Sequence, residues 1–175
     1  ESFHFDFTER IDLILKNTKE KILLEHLFYY NSLHVVDLAF HLCGYPNKMV
    51  CHTSGYSDWH KKPMIFAGSG ITKNNSLFTY NTNWQSGGRW NLEICTGENK
   101  YILRPLEEVQ IMPKGKMEIE TIKIDNKLDT LFKPGLFNQV SSFLNNQGDN
   151  RLIKIDDHLS NFENIYSKFI GEEHG

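Results

Sequence analysis

The chain begins with an alternation of apolar and polar residues. A period of two is typical of a strand with one buried face, so this pattern predicts a half-buried strand. The apolar phase consists of Phe3, Phe5, Phe7, Ile11 and Leu13. The following segment, Asn17–Tyr30, fits either a helix or a covered strand, and we predict no element for it.

A helical pattern follows between Asn31 and Cys43. Its apolar residues recur at helical spacing. They are Leu33, Val36, Phe40 and Cys43. Gly44 and Pro46 come next, and both are typical of a helix C-terminus. We therefore predict a helix that ends before Gly44.

Strands are predicted between Lys48 and Asp125. The aromatic residues Phe78, Tyr80 and Trp84 share one strand phase. A second phase contains Trp90, Leu92 and Ile94. Turn residues at Thr96–Asn99 and Pro113–Gly115 connect further strands, and such short connections favour antiparallel pairing. The apolar phase slips between Ile119 and Ile122, which predicts a bulge or burial on both faces.

The segment Gly68-Ser-Gly70 is similar to part of a phosphate-binding loop. The residues after it are turn formers, and no third glycine follows at the required place. A dinucleotide fingerprint needs that glycine and the start of a helix. We interpret the segment as a strand end or a bulge.

Two helices are predicted in the C-terminal quarter. The first would start at Pro134 and end at Gly148. Its apolar stripe is Leu136, Phe137, Val140, Phe143 and Leu144. The second would be capped by Asp156 or Asp157. Its apolar side is Leu159, Phe162, Tyr166, Phe169 and Ile170. Together the elements predict one α+β domain over residues 1–175, with a mainly antiparallel open sheet and helices on one face.

Composition excludes several classes of protein. The 175 residues, 39% hydrophobic, are enough for one buried core. A net charge of −3 with mixed signs argues against nucleic-acid binding. The apolar runs are too short for a membrane span or a signal peptide. Three cysteines without Cys-x-x-Cys spacing predict a reducing compartment, the cytoplasm. The first residue, Glu1, is not methionine, so we expect a piece of a longer protein.

The predicted helix carries a polar stripe of His34, Asp37 and His41. His34 could act as an acid or base near neutral pH. The alternative is that Asp37 and His41 are structural groups bonded to neighbouring loops. A metal site is the weakest option, because the two histidines lie about 10 Å apart along the helix.

An aromatic and polar group allows two interpretations. It consists of Tyr80, Trp84, Arg89 and Trp90. Aromatic faces beside Asn and Arg donors suit stacking on sugar rings. Alternatively, the aromatic residues fill the buried face of the sheet or pair across a subunit boundary.

The segment from Asn31 to Gly44 resembles the His-x-x-Asp helix of the Gfo/Idh/MocA family, the glucose–fructose oxidoreductases and inositol dehydrogenases. The order of elements is similar too, with a Trp–Gly stretch at Trp84–Trp90 and a later Phe132–Gly135 segment before a helix. The similarity covers nearly the whole chain but only the C-terminal half of a family member.

The resemblance implies a two-domain enzyme whose N-terminal Rossmann domain, absent here, binds NAD or NADP and carries a Glu-Lys-Pro lysine. It implies that His34 is the catalytic histidine and that Asp37 supports it. Many members have an aspartate four residues before that histidine, where this chain has Tyr30. A tyrosine hydroxyl can relay a proton but is a poorer base. That difference leaves open a changed reaction or a lost activity.

The leading hypothesis is the substrate-binding and oligomerisation domain of an NAD(P)-dependent oxidoreductase acting on a sugar, sugar nucleotide or polyol. We expect a homo-oligomer formed through the sheet face, and neither cofactor binding nor activity in this chain alone. Catalytic roles are assigned to His34 and Tyr30. Substrate binding is assigned to Asn31, Asp37, Trp84 and Arg89. The alternative is a non-catalytic carbohydrate-binding or scaffold module that kept only the fold.

Overall fold

One eight-stranded sheet forms the centre of the molecule. The computed structural model describes residues 1–145 and 152–171. The strands are β1 (Ser2–Asp6), β2 (Pro46–Ser54), β3 (Ile65–Thr72), β4 (Leu77–Asn83), β5 (Asn91–Cys95), β6 (Asn99–Leu103), β7 (Val109–Pro113) and β8 (Glu120–Ile122). Their order is β2-β3-β4-β1-β5-β6-β7-β8. The pair β1–β4 is parallel, and the other neighbouring strands of the described sheet are antiparallel.

Helices precede and follow the strands. They are α1 (Ile11–Asn17), α2 (Lys21–Glu25), α3 (Leu33–Cys43), α4 (Lys127–Leu131), α5 (Leu136–Asn145), α6 (Ile155–Asn161) and α7 (Ser167–Phe169). Two π-helical turns, Phe28–Ser32 and Phe162–Tyr166, lead into α3 and α7. The predicted α+β class with a mainly antiparallel open sheet is confirmed. Among the described residues, no helix combines the length and apolarity needed to cross a membrane.

The core lies between the sheet and the two helices α3 and α7. The ring of Phe5 stacks on Tyr80 at 5.4 Å and meets the edge of Phe40 from α3 at 5.6 Å. Phe169 of α7 lies 4.6 Å from Tyr80, measured between ring centroids. These side chains are at most 2% exposed. The apolar phase of β1 therefore points toward the helices, as its alternation predicts.

The first strand is shorter than predicted. It ends at Asp6, and Ile11 begins α1 instead of continuing the strand. The carboxylate of Asp6 accepts hydrogen bonds from the backbone N–H and the hydroxyl of Thr8, at 2.8 and 2.6 Å. This local bonding turns the chain away from the sheet. The prediction of a strand reaching Leu13 was wrong for that reason.

The helix before β2 is confirmed. α3 ends at Cys43, and Gly44 has a φ of 99°, which an L side chain rarely adopts. The segment for which no element was predicted forms α2 and the start of the first π-helical turn, which continues into the predicted helix as far as Ser32.

The interpretation of Gly68 and Gly70 as a strand end or bulge was wrong. Both lie inside β3 in regular register, opposite Tyr80 and Phe78. A Cβ at Gly68 would lie 2.5 Å from the Tyr80 hydroxyl, and one at Gly70 would lie 2.5 Å from the Phe78 ring. The glycines therefore leave room for two aromatic rings to lie across the strand.

The apolar phase slips near β8 because Ile119 lies before the strand and only Ile122 lies in it. The pairing of β7 with β8 is regular from Ile111–Glu120 to Val109–Ile122, and Ile119 lies before the strand. Ile119 and Ile122 are 50% and 36% exposed. The prediction of a bulge or of burial on both faces was therefore wrong.

The C-terminal helices begin at other residues than predicted. Pro134 lies in a turn with Gly135 (φ 74°), and α5 starts at Leu136. Lys154 holds the N-cap position of α6, and both aspartates lie in its first turn instead of capping it. The predicted stop at Gly148 lies outside the described residues.

The apolar stripe of α5 is exposed. Its five members range from 40% exposed for Phe137 to 73% for Phe143. On the apolar side of the last helical segment, by contrast, Tyr166, Phe169 and Ile170 are buried. Helical periodicity identified both elements, but only the second one packs against the sheet.

Candidate ligand-binding site

A cavity of about 490 Å³ opens beside the end of β1. The segment after β1, the helix α1, the first π-helical turn, the β4–β5 loop and the β6–β7 loop enclose it. Its polar lining includes Glu9, Arg10, Asn31, Arg89 and Glu107. The indole of Trp90 and apolar atoms of Leu13, Ile14 and Leu106 complete the wall. Cavities of this size with a few polar groups are typical of small-molecule sites.

Glu9 is the most buried charged residue of this wall, at 5% exposure. Its Oε1 accepts hydrogen bonds from the Ser32 hydroxyl at 2.6 Å and from the Trp90 indole N–H at 3.3 Å. Its Oε2 accepts one from the Asn31 side-chain amide at 2.9 Å. The carboxylate therefore joins three separate parts of the chain. A buried carboxylate needs such donors to be tolerated.

The backbone before Glu9 is held by side chains at the end of β4. The hydroxyl of Thr82 accepts a hydrogen bond from the Phe7 N–H at 3.0 Å, and the Trp84 indole donates one to the Phe7 carbonyl at 3.2 Å. The Thr8 hydroxyl accepts one from the backbone N–H of Asn83 at 3.2 Å. These bonds replace the sheet pairing that ends at Asp6.

A π-helical turn supplies two of the donors to Glu9. Asn31 and Ser32 are neighbours in sequence, and both reach the same carboxylate. The turn Phe28–Ser32 has a wider backbone than an α-helix. Such turns inside helices are frequent at functional sites.

The β4–β5 loop brings Arg89 and Trp90 to the cavity. Gly88 packs closely on Thr8, since a Cβ there would lie 2.6 Å from the Thr8 methyl carbon. The next two residues line the cavity, and Trp90 reaches Glu9 with its indole N–H. Trp90 is half-buried, and its ring is available as a wall of the cavity.

Burial raises the pKa of Glu9 above its ordinary value, while the hydrogen bonds from Ser32, Asn31 and Trp90 act in the opposite direction. Donors favour the ionised form of a carboxyl group and desolvation opposes it. Burial is the larger effect, and the charge of Arg10 also lowers the pKa, so the hydrogen bonds and Arg10 offset only part of the cost of burying the charged carboxylate.

The two residues assigned catalytic roles are exposed and are not among the residues that line this cavity. His34 is exposed, and its ring lies 6.4 Å from the Trp90 ring between centroids. Tyr30 is 55% exposed. Of the residues assigned to substrate binding, Asn31 and Arg89 line the cavity. The fold thus brings His34, Asn31 and Arg89 to one region through Trp90.

Asp37 does not line this cavity and is hydrogen-bonded to two tyrosines. Its Oδ1 accepts hydrogen bonds from the hydroxyls of Tyr45, at 3.1 Å, and Tyr166. Burial and the neighbouring charge of Asp37 raise the pKa of Tyr45 to about 12. These bonds fit the structural interpretation of Asp37, and the expected support of His34 is not among its hydrogen bonds in the described structure.

Trp84 is a core residue. It is 2% exposed and packs on Phe66, with ring centroids 5.0 Å apart. Tyr80 is likewise buried. The expectation that Trp84 stacks on a sugar does not fit this position. Of the predicted aromatic and polar group, Arg89 and Trp90 lie at the cavity, while the other two residues fill the sheet's buried face.

Sequence reasoning missed Glu9, although a signal was present. Glu9 falls on the same phase as Phe7 and Ile11, where the alternation calls for an apolar residue. A charged residue on a buried phase needs partners and often marks a site. Among the described residues, no group of three or more histidine, cysteine or acidic side chains could hold a metal ion.

Comparisons with known proteins show that this chain is similar in fold to several solved structures. No protein-family profile matches the chain, and no curated protein does. Among solved structures, a Clostridium difficile dehydrogenase matches with a TM-score of 0.59 and 14% identity, covering 82% of this chain and 45% of that one. The UDP-N-acetylglucosamine 3-dehydrogenase of Acidithiobacillus ferrooxidans matches with a TM-score of 0.56 and 12% identity, covering 82% and 43%.

A third match is a levoglucosan dehydrogenase solved with NADH and levoglucosan, at a TM-score of 0.52 and 14% identity, covering 71% of this chain and 40% of that one. The chain thus spans less than half the length of these solved chains. The neighbours are dehydrogenases of the Gfo/Idh/MocA type, and the chain shares the fold of one region of them. The fold implied by the sequence resemblance is confirmed; at these identities the likeness concerns the fold alone.

Proposed function

We propose that this chain is the substrate-binding and oligomerisation domain of an NAD(P)-dependent oxidoreductase that acts on a sugar, a sugar nucleotide or a related polyol. The observation that carries the proposal is the cavity beside β1. It combines hydrogen-bonding groups on Glu9, Asn31 and Arg89 with the indole of Trp90, and His34 lies next to that indole. Such a combination of polar partners and an aromatic face suits a hydroxyl-rich ligand.

His34 is proposed as the acid–base residue. Its exposed ring at the cavity edge can exchange a proton with a ligand hydroxyl and with solvent. Tyr30 is proposed to assist it as a donor. Asn31 and Arg89 are proposed to orient the ligand. Asp37 and Trp84 have no place in this proposal, because one bonds two tyrosines and the other lies in the core.

The Gly68–Gly70 segment does not fit a dinucleotide-binding loop. Gly68 and Gly70 lie in the interior of β3 beneath aromatic rings, not at the start of a helix where a pyrophosphate binds. The cofactor would therefore be held by another domain. When bound, it would accept or supply a hydride, and this chain's residues would hold the ligand and move a proton.

The test begins with the coding sequence before Glu1. About 120 residues with a Gly-x-Gly-x-x-Gly turn and a Glu-Lys-Pro segment are expected there. In the full-length protein, His34→Ala should lower turnover of the best sugar substrate by about a hundredfold or more. His26→Ala, at an exposed histidine after α2, is the matched control and should retain activity. Unchanged turnover in His34→Ala would remove His34 from the reaction.

The second candidate is a non-catalytic carbohydrate-binding or scaffold module. The observation that favours it is Tyr30, which stands where the resembled family has an aspartate. An upstream sequence without a nucleotide-binding pattern, together with sugar binding and no oxidation of any sugar by NAD or NADP, would favour this candidate. Cytoplasmic location is part of both proposals.

Self-association is proposed through the open face of the sheet. Val50 and Leu77 are 58% and 59% exposed there, on the side away from α3 and α7. Ser69 pairs with Val50 and Thr79, so small polar side chains continue the same face. Sedimentation of wild type and of Val50→Asp tests this: the variant should dissociate, while Tyr56→Asp, at a 67% exposed site in the β2–β3 connection, should not. A wild-type monomer would refute the proposal.

A further inference from the structure

We propose that Glu9 is a specificity-determining residue, whose carboxylate accepts a hydrogen bond from one hydroxyl of a polyhydroxylated ligand bound against Trp90. This inference rests on the proposed function, because both concern the same cavity. It adds one defined contact and an orientation for the ligand.

The first argument is the count of hydrogen bonds at the carboxylate. Two donors reach Oε1 and one reaches Oε2. An ionised carboxylate can accept about four hydrogen bonds. One acceptor position therefore remains on Oε2, and Glu9 is part of the cavity wall. A ligand hydroxyl in the cavity can supply the fourth donor.

The second argument is the rigidity of the group. Ser32 and Asn31 come from the π-helical turn and Trp90 comes from a loop more than fifty residues later, so Glu9 is fixed from both sides. A carboxylate fixed in this way loses little conformational entropy when it binds a ligand. It discriminates strongly, because a ligand without the matching hydroxyl leaves a buried acceptor without its partner.

The third argument concerns orientation. Glu9 is the buried charged residue of the lining, whereas Arg10, Arg89 and Glu107 are exposed. A carboxylate or phosphate on the ligand would be repelled by Glu9, whereas the exposed part of the lining offers two arginine charges against the single carboxylate of Glu107. We therefore infer that the neutral, hydroxylated end of the ligand points toward Glu9 and that any anionic group points outward.

The experiment compares wild type with Glu9→Gln, using monodeoxy analogues as probes. Binding of D-glucose, myo-inositol, D-gluconate and glucose 6-phosphate is measured first by saturation-transfer NMR, and the best binder is then replaced by its series of monodeoxy analogues. In wild type, one analogue should bind about ten to a hundred times more weakly than its parent. In Glu9→Gln, the parent should weaken by a similar factor and that analogue should show little further loss.

The ratio of the dissociation constants of the parent and the analogue distinguishes a role of Glu9 in recognition from a role in structure. A merely structural role would weaken the parent and every analogue equally, leaving the ratio unchanged, and this outcome would overturn the inference. Glu108→Gln, at an exposed carboxylate that does not line the cavity, is the matched control and should retain the wild-type ratio. Glu9→Asp is a second variant, which keeps the carboxylate. It replaces Glu9→Gln if that variant does not fold, and it should show part of the wild-type discrimination between parent and analogue.

Failure of the inference is distinguishable from failure of the proposed function. If wild type binds a probe and Glu9→Gln keeps the full discrimination, the inference about Glu9 is wrong while the cavity remains a sugar site. If wild type binds none of the four probes, a site for free sugars, polyols, sugar acids or sugar phosphates is refuted together with the role of Glu9 in recognising them.

Discussion

The hydroxyl of Tyr166 donates a hydrogen bond to Oδ1 of Asp37, which joins the last helical segment to α3 across 129 positions of the chain. The Tyr45 hydroxyl, from the residue directly before β2, donates to the same oxygen. One carboxylate thus connects three parts of the chain on the helical side of the sheet. Hydrogen bonds to a charged acceptor stabilise more than those between neutral groups.

Tyr166→Phe should destabilise the protein. Tyr166 is fully buried, and the substitution removes a donor to a partly buried carboxylate without leaving a large cavity. The expected loss in the free energy of unfolding is about 1.5–3 kcal/mol. Urea denaturation measures it. Tyr56→Phe, at a 67% exposed tyrosine, should change stability by less than about 0.5 kcal/mol; equal stability of the two variants would contradict the role of the Asp37 bond.

The hydrogen bonds of Asp37 with Tyr45 and Tyr166 also predict a loss of stability at alkaline pH. The pKa of Tyr45 is raised to about 12 by burial and by Asp37, from about 10 in an unfolded chain. Between these values the folded state keeps a proton that the unfolded state has released. Below pH 10, Tyr45 should therefore cause no change in the free energy of unfolding with pH. As pH rises from 10 to 12, Tyr45 should make the free energy of unfolding decrease.

Tyr45→Phe should show a smaller decrease over that range, because the titrating group is gone. Denaturation at several pH values between 9 and 11.5 measures the two slopes. Tyr56→Phe is the control and should keep the wild-type slope. If Tyr45→Phe also keeps it, the group responsible lies elsewhere.

Gly68→Ala should destabilise the sheet. The new Cβ would lie 2.4 Å from the Val50 carbonyl oxygen and 2.5 Å from the Tyr80 hydroxyl, so both neighbours would have to move. Overpacking of this kind costs about 1–3 kcal/mol. Gly87→Ala is a matched control, because nothing lies within 4 Å of a Cβ at that position. Thermal unfolding of both variants gives the comparison, and equal melting temperatures would exclude the steric explanation.

The core could be predicted from sequence to a useful extent. Phe3, Phe5 and Phe7 alternate as a half-buried strand should, and their side chains are buried. The continuation to Leu13 was wrong because Asp6 and Thr8 form a local turn that a count of apolar residues does not detect. Periodicity records which residues are apolar, whereas local side-chain bonding decides where a strand ends.

The candidate site was predictable only in part. The helical pattern and the family resemblance singled out Asn31 and His34 from sequence, and their roles stay predictions. The link between Glu9 and Trp90 spans 81 positions, and only the folded sheet brings the two together. The phase of Glu9 was the available signal, since it put a carboxylate among buried aromatic residues. Conversely, Trp84 shares its phase with the core and not with a binding surface.

The exposed stripe of α5 gives the last prediction. Phe143 and Leu144 are 73% and 72% exposed, so they contribute little to the core although they are spaced as a buried helix face would be. Phe143→Ser and Leu144→Ser should each change the free energy of unfolding by less than about 0.5 kcal/mol. Phe5→Ala, at a fully buried ring, should cost about 3–5 kcal/mol. Both α5 variants should also bind less of a dye that fluoresces on apolar surfaces, because they remove exposed apolar area. A loss above 1 kcal/mol in either α5 variant, measured by urea denaturation, would mean that the stripe is packed against another part of the chain in solution.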